Sequence, residues 1–263
     1  MLDDMVKKMA EYRVVLEPDY DIPEWWAGAP SVIIGADGLF YLAVRMRHGD
    51  SPKGQRGYET RILRSKDGLR FEALQSLTRE AAGLGGFERP ALALDPRSGR
   101  YKLYTCAALE RGWAILKFDD ADHPGNFDPA TIRPVLAAEY PDDGTDHVFG
   151  YKDPFLYHDG NLWHLFVIGY DRLERPYRFV SEDGEHWRLA QPRPLLENDG
   201  WHNFYTRPAC LLPMAVGYLL IYEGSNLGWY DPVYNIATGL AYSPDLKTYH
   251  DLTPHEPLFT STT

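Results

Sequence analysis

A short β-prone run that opens around a proline occurs four times along the chain. The runs are "AGAPSVII", "FERPALAL", "YKDPFLYH" and "YTRPACLL", and their prolines are Pro30, Pro90, Pro154 and Pro208. These prolines are spaced by roughly 60 residues, somewhat more than the roughly 40–50 residues of shorter propeller repeats. Loop insertions can supply the difference. A repeat of this length predicts one supersecondary unit per copy.

Each proline run is followed by a Gly-bearing turn and a second, aromatic-rich strand. These segments are "DGLFYLAVRMR", "SGRYKLYTCAA", "DGNLWHLFVIG" and "VGYLLIYEGS", and their spacing predicts β-hairpins. We expect Asp159 to belong to the hairpin turn of the third repeat. A third strand ends in Ser-x-Asp around Asp67, Asp183 and Asp245, followed by an aromatic ring. In such a turn the Asp side chain binds nearby backbone N–H groups.

Each repeat therefore predicts one four-stranded sheet, and sheets repeated around an axis form a β-propeller with a central channel. We expect an all-β chain with a single propeller domain over residues 1–263. Its four blades are predicted near residues 28–75, 87–132, 150–190 and 203–250. The flanking segments are too short for a complete fifth blade, so four blades close the ring, or a fifth is partial, missing or supplied by another chain. A homodimer would cover exposed sheet edges.

The charge of the chain argues against nucleic acid as a partner. The 27 Lys and Arg residues are outnumbered by 38 Asp and Glu residues, and no dense basic stripe offsets the excess. The beginning of the chain lacks the features of a signal peptide, and no stretch approaches the roughly 18 apolar residues of a membrane span. We therefore expect no membrane partner and a cytoplasmic protein. Cys106 and Cys210 lie in apolar runs and are expected to be buried free thiols.

The blade openings and the Ser-x-Asp turns resemble those of the five-bladed β-propeller glycoside hydrolases. That group includes arabinanases, β-xylosidases, fructan-cleaving enzymes and β-mannoside phosphorylases and hydrolases. The resemblance covers roughly residues 25–255, and "GYLLIYEGSN" is similar to a late blade of the mannoside family. It implies a glycoside hydrolase that cleaves an oligosaccharide or glycoside with carboxyl groups at the channel mouth. The alternatives are a glycoside phosphorylase and a non-catalytic sugar-binding propeller.

Cleavage of a glycosidic bond generally needs two carboxyl groups. Asp153 is the first candidate, because it is the only acid directly before a blade-opening proline. Glu88 and Glu223 are the candidates for its partner. The resemblance implies an acid where this chain has Ala29 and an Asp where it has Arg89. The catalytic pair of the family is therefore not present intact.

Basic and aromatic residues near the openings are candidates for substrate binding. The cations can hold the acids ionised or bind sugar hydroxyls, a uronate or a phosphate, and the rings can stack on sugar faces or pack between blades. The candidates are Arg89, Lys152, Arg207, Trp25, Trp26, His202, Tyr205 and Trp229. Asp146 and His147 are further candidates for a proton relay or a metal ligand pair. No spacing of His and carboxylate matches a zinc site, so we expect no metal and no cofactor.

Overall fold

The protein is built from β-strands, as the repeats predict. The computed structural model describes residues 7–8, 11–52, 54–110, 112–139, 148–230 and 236–260. The strands are β1 (Trp26–Ile34), β2 (Phe40–Arg47), β3 (Gly57–Ser65), β4 (Glu72–Thr78), β5 (Ala91–Leu94), β6 (Tyr101–Leu109), β7 (Gly112–Lys117), β8 (Arg133–Ala137), β9 (Gly150–His158), β10 (Trp163–Tyr170), β11 (Glu174–Ser181), β12 (Arg188–Leu189), β13 (Tyr205–Pro213), β14 (Tyr218–Ser225), β15 (Ala237–Ser243), β16 (His250–Asp251) and β17 (Phe259–Thr260). The helical segments are the single turns Pro129–Thr131, Gly200–His202 and Leu227–Tyr230. Within the described residues, no helix has the length and apolarity to cross a membrane.

The chain divides into two compact units, of which the larger contains Arg13–Leu165 and Ser181–Trp187. Strands β1 to β4 form an antiparallel sheet in chain order. Strands β5 to β8 form a second antiparallel run, again in chain order. The beginning of β9 pairs in parallel with β7 at Gly150 and Trp113. The first two repeats thus each produce four consecutive antiparallel strands.

The main core of the larger unit is formed by side chains from the first two repeats. Tyr41 and Ala43 of β2 pack into a cluster that includes Phe87 and Leu103. The alternate residues Leu42, Val44 and Met46 lie in a second cluster. Because successive side chains of a strand point to opposite faces, β2 is buried on both faces. A charged residue in the middle of this strand must therefore be accommodated within the protein.

The smaller unit contains Met1–Tyr12, Phe166–Val180 and Arg188–Thr263. Its largest sheet joins β13, β14, β15 and β16 as antiparallel neighbours. Strand β11 pairs antiparallel with β12 and makes one parallel contact with β13, at Glu174 and Tyr205. The end of the chain contributes β17, which pairs with β15 through Phe259 and Thr260.

The Ser-x-Asp turns have the predicted geometry. Asp67 Oδ1 accepts hydrogen bonds from the backbone N–H groups of Leu69 and Arg70, at 2.8 and 2.9 Å. Asp183 and Asp245 each accept the two corresponding N–H groups of their own turns. These hydrogen bonds confirm the structural role of the three carboxylates.

Asp159 also has the predicted role in its turn. Its Oδ1 accepts N–H groups from Asn161 and Leu162, each at 2.8 Å, and its Oδ2 lies 3.0 Å from His164 Nε2. Burial by itself would raise the pKa of Asp159, but these hydrogen bonds outweigh it and lower the pKa to about 2. The carboxylate is therefore ionised over the physiological pH range.

The two cysteines differ in their environments. Cys106 is a buried free thiol, as predicted, but Cys210 is exposed, so that prediction is wrong for Cys210. The register of β13 shifts between Pro208 and Cys210. This irregularity interrupts the alternation of the strand and leaves the Cys210 side chain at the surface.

Candidate active site

Two of the blade openings share an unusual backbone conformation. Asp153 and Ala29 each precede the proline of their run, and their φ angles are 52° and 50°. The left-handed region costs most L-residues roughly 1–2 kcal/mol, whereas Asp and Asn visit it more readily. Strain of this kind persists only where the surrounding structure maintains it, and it is concentrated at functional sites. Asp153 is thus held in a specific orientation.

Cys106 makes two contacts with Asp153. The backbone N–H of Asp153 donates to Cys106 Sγ at 3.2 Å, and the thiol lies 3.6 Å from Asp153 Oδ1. Desolvation is the main reason that the pKa of Cys106 is raised far above its ordinary value, and the charge of Asp153 adds to the effect. The thiol therefore stays protonated and can serve as a weak donor to the carboxylate. One buried side chain contacts both the backbone and the carboxylate of Asp153.

Glu88 forms an ion pair with Arg45, a residue that the sequence analysis did not select. Arg45 is only 8% exposed, and its guanidinium lies 4.7 Å from the centre of the Trp26 ring. Its Nε is buried and has no hydrogen-bond partner among the described residues. Burial lowers the pKa of Arg45 to about 10, and the charge of Asp153 opposes that shift. Arg45 thus stays charged at neutral pH, and its positive charge interacts with the carboxylates of both Glu88 and Asp153.

Further cations of the larger unit lie near this group. Arg47 lies 5.4 Å from the centre of the Trp26 ring, and the charges of Arg47 and Arg89 both act on Arg45. Lys152 is placed 5.6 Å from the centre of the Trp113 ring. Arg45 thus interacts with four predicted residues, which are Trp26, Glu88, Arg89 and Asp153. A fifth, Lys152, acts electrostatically on Cys106, which contacts Asp153.

The ring of Trp25 packs against other rings of its own unit. Its centroid lies 4.7 Å from Tyr20, 5.2 Å from His48 and 5.6 Å from Tyr58. Trp26 is 37% exposed, and Arg45 and Arg47 both lie over its ring. Trp25 therefore packs within its unit. The ring of Trp26 makes cation–π contacts with two guanidinium groups.

The smaller unit contains a second acidic and basic group. Arg207 and Glu223 are cross-strand partners in β13 and β14. The Nε of Arg207 forms an ion pair with Glu174, and its guanidinium lies 4.2 Å from the centre of the Tyr205 ring. Glu174 is 2% exposed and was not predicted from the sequence. The ring of Tyr205, itself buried, thus stacks with Arg207 in this structure.

His202 belongs to a buried hydrogen-bond network and is not at the surface position expected from the sequence. It is 2% exposed, its Nδ1 lies 2.9 Å from Thr206 Oγ1, and its Nε2 lies 3.0 Å from Asp251 Oδ2. Asp251 also accepts a hydrogen bond from Tyr222 at 2.9 Å. Both ring nitrogens of His202 are thus engaged within this network of the smaller unit.

The side chains of three other predicted residues lie outside the described part of the structure. Trp229 belongs to the helical turn Leu227–Tyr230, but its side chain is outside the described part of the structure. Asp146 and His147 also lie outside the described residues. Among the residues that are described, no group of three or more His, Cys, Asp or Glu side chains is arranged to hold a metal ion.

The sequence contains a signal for Arg45 and Glu174, the two site residues that were not predicted. Arg45 interrupts the apolar run "FYLAVRM", and Glu174 opens the strand "ERPYRFVS". A charge within a buried strand requires a partner. That signal predicts an ion pair, but it does not identify the partner.

Comparison with known proteins supports the fold. No family model and no curated protein matches the chain. A solved glycoside hydrolase has 16% identity and a TM-score of 0.70, over 94% of this chain and 80% of the other. A glycosyl hydrolase from Bacteroides ovatus has 15% identity and a TM-score of 0.67, over 93% and 78%.

A third solved structure comes from the GH130 family of mannoside phosphorylases. That family contains glycoside hydrolases that target β-1,2 mannosidic linkages in Candida mannan. The match has 17% identity and a TM-score of 0.67, and it covers 95% of this chain and 79% of the other. The chain has the fold of these enzymes. The likeness confirms, at the level of the fold, the resemblance that was drawn from the repeats.

Proposed function

We propose that this protein is a carbohydrate-active enzyme that hydrolyses a glycosidic bond in an oligosaccharide or glycoside. One observation carries the proposal. Asp153, with a φ of 52°, contacts Cys106, and the buried Arg45 interacts electrostatically with Asp153 and pairs with Glu88. A pair of carboxyl groups is what this reaction generally requires. The fold shared with solved glycoside hydrolases supports the same reaction class.

The contacts place both acids beside the same cation. Arg45 is paired with Glu88 and interacts electrostatically with Asp153, and an adjacent cation stabilises the ionised form of a carboxyl group. Either carboxylate suits the group that activates water or attacks the sugar, and the other, protonated in the complex with substrate, would donate its proton to the leaving oxygen. Glu223 lies in the smaller unit, where it is the cross-strand partner of Arg207, and its role as a catalytic carboxyl group stays a prediction.

The alternative of a glycoside phosphorylase uses the same carboxyl group to protonate the leaving sugar, with phosphate in place of water. The late-blade segment has Glu223 where the mannoside family has a His, and a negative charge there would repel phosphate. We therefore favour hydrolysis. The finer architecture, a propeller with four blades and a fifth that is partial or missing, stays a prediction.

A non-catalytic sugar-binding protein is the second candidate. The observation in its favour is Ala29, which has the same backbone conformation as Asp153 at a corresponding opening but carries no acid. Calorimetry that showed oligosaccharide binding without any turnover during long incubations would select this candidate over the enzyme.

A panel of aryl glycosides and oligosaccharides, assayed with and without inorganic phosphate, tests the proposal. We expect the native chain to release reducing sugar at a rate that does not depend on phosphate, and we expect Asp153→Asn to lower that rate roughly 10²–10⁴-fold. Accumulation of a sugar phosphate would identify a phosphorylase instead. Full activity of Asp153→Asn would remove Asp153 from the mechanism.

A further inference from the structure

The Ser-x-Asp turn of the third repeat packs on the sheet of the second repeat. The Tyr104 hydroxyl donates to the carbonyl oxygen of Gly184, and the Tyr104 ring lies edge-on to Trp187, with the centroids 6.2 Å apart. Glu185 forms an ion pair with Lys117, which is buried on β7. The turn therefore covers one face of the sheet of β6 and β7, and its acid is matched in charge to that face.

The second repeat packs on the first in a similar way. The ring of His123 lies edge-on to that of Tyr41, with the centroids 5.9 Å apart. The backbone N–H of Phe127 donates to the side-chain oxygen of Gln75 at 3.1 Å, and the Gln75 amide donates to the Phe127 carbonyl oxygen at 2.6 Å. In both cases, the segment after the third strand of one repeat covers the sheet of the repeat before it.

The corresponding turn of the first repeat is exposed. Residues 65–71, the first-repeat turn, read "SKDGLRF" where the third repeat reads "SEDGEHW", so Leu69 takes the place of Glu185. Leu69 is 49% exposed. The groove beside the turn, of about 600 Å³, is lined by residues of the first repeat between Leu39 and Glu72. The first repeat thus presents an apolar side chain where the third repeat presents the acid that contacts its neighbour.

The sheet of the fourth repeat has one open face. The second strands β2, β6 and β10 are buried on both faces over most of their length. In β14, by contrast, burial alternates, since Leu220 and Tyr222 are buried and the residues between and before them are only partly buried. Cross-strand partners share a face of a sheet. The open face, here called the fourth-repeat face, consists of Cys210, Leu212, Leu219, Ile221 and Tyr242.

The fourth-repeat face is complementary in charge to the first-repeat turn. Counted from the first residue of each second strand, Leu219 takes the place of Lys102, and none of the five side chains of the face is charged. An acid such as Glu185 would lose its water on this face without gaining a cationic partner, which is costly. Leu69 instead buries apolar surface there, which is favourable.

We propose that the fourth-repeat face binds the first-repeat turn of a second copy of this chain. Leu69 of one copy packs against Leu212 and Leu219 of the other. Leu69 and Leu212 are both exposed in the single chain, and each copy has one turn and one face, so two copies can form the contact twice around a two-fold axis. This inference concerns assembly and does not depend on the proposed reaction.

Sedimentation velocity over a range of protein concentrations tests the proposal. We expect the native chain to form dimers that dissociate on dilution, and a native chain that stays monomeric at every concentration overturns the inference. Leu69→Glu and Leu212→Lys should each weaken the dimer at least roughly 10-fold, because each places an unpaired charge in an apolar contact. Leu189→Lys is the matched control, since Leu189 is 42% exposed on β12 and belongs to neither surface, and it should keep the native dissociation constant.

A mixture of the two variants separates loss of the contact from loss of the fold. Equal amounts of Leu69→Glu and Leu212→Lys should form mixed dimers with about the native affinity, because one of the two contacts then pairs the introduced charges and the other is unchanged. Circular dichroism confirms that each variant is folded. Dimers that persist in both single variants, or a mixture that stays monomeric, refute the proposed contact.

The exposed thiol of Cys210 allows the partner to be identified. Cys210 lies on the fourth-repeat face, whereas Cys106 is buried. In Leu69→Cys, a short bis-maleimide should join the introduced thiol to Cys210 and give a covalent dimer on a denaturing gel. The native chain and the double variant Leu69→Cys, Cys210→Ser are the controls and should give no such dimer. The same cross-link confined to the monomer band means that the turn packs on the fourth repeat of its own chain, and this outcome overturns the assignment to a second copy.

Discussion

The left-handed backbone at Asp153 allows its chemical role to be separated from its structural role. Asp153→Asn removes the charge, but Asn adopts positive φ angles about as readily as Asp. The variant should therefore keep the left-handed backbone without the cost that other residues pay there. Loss of a general acid or base lowers turnover by roughly 10²–10⁴-fold, and we expect a loss in this range for Asp153→Asn.

Asp153→Ala should have the same chemical effect and an additional structural one. Alanine cannot compensate a φ of 52° with local hydrogen bonds, so we expect a further loss of about 1 kcal/mol in the free energy of unfolding. For a chain of this size, that corresponds to a decrease of about 2–4 °C in Tm. Asp153→Gly has no left-handed cost but makes the unfolded chain more flexible, by roughly 0.5–1 kcal/mol. Its stability should therefore lie between those of the other two variants.

Urea unfolding and turnover of the best glycoside measure the two effects. Ala29→Gly is the matched control at the corresponding opening, where φ is 50°, and it should be about as stable as the native chain or more stable by about 0.5 kcal/mol. Equal stability of the Ala and Asn variants of Asp153 would refute the argument from the backbone. Turnover retained by Asp153→Asn would refute the argument from the carboxyl group.

Three further predictions follow from single contacts. Cys106→Ala should lower kcat roughly 10-fold with little change in KM, because Asp153 loses a positioning contact, and Cys106→Ser should recover part of the loss. The pKa of Asp159 is lowered to about 2, so its ionised carboxylate stabilises the native chain above pH 4, and this stabilisation is lost as the pH falls towards 2. In acid unfolding experiments, the free energy of unfolding of Asp159→Asn should lack this part of the pH dependence. Lys117 is 1% exposed in its side chain and pairs with Asp120 and Glu185, so Lys117→Met should lower the free energy of unfolding in urea by about 3 kcal/mol.

Local chemistry explains why the repeats predict the fold well. A Ser-x-Asp turn forms within a few residues, because the carboxylate of Asp67 accepts hydrogen bonds from the Ser65 hydroxyl and from the N–H groups of Leu69 and Arg70, all within three residues of it. Alternating apolar residues and turn signals likewise define strands over short distances. The four proline openings and three Asp turns therefore predict an all-β chain, and the Gly-bearing hairpin turn of the third repeat predicts the structural role of Asp159.

Burial and side-chain partners depend on residues that are distant in sequence. The alternation of β13 does not anticipate the register shift that exposes Cys210. It also does not show that His202 is enclosed by Thr206 and by Asp251, the latter 49 residues away. Strand periodicity gives the face of a side chain, but not the partner that it contacts.

The sequence alone determined the repeat, the strand content and the position of Asp153 before a blade-opening proline. Only the tertiary structure decided that Asp153 has a φ of 52° and contacts Cys106, and that Glu88 pairs with Arg45. The reason is that turn geometry is set by short-range hydrogen bonds, whereas an ion pair in a buried strand is set by the packing of separate repeats.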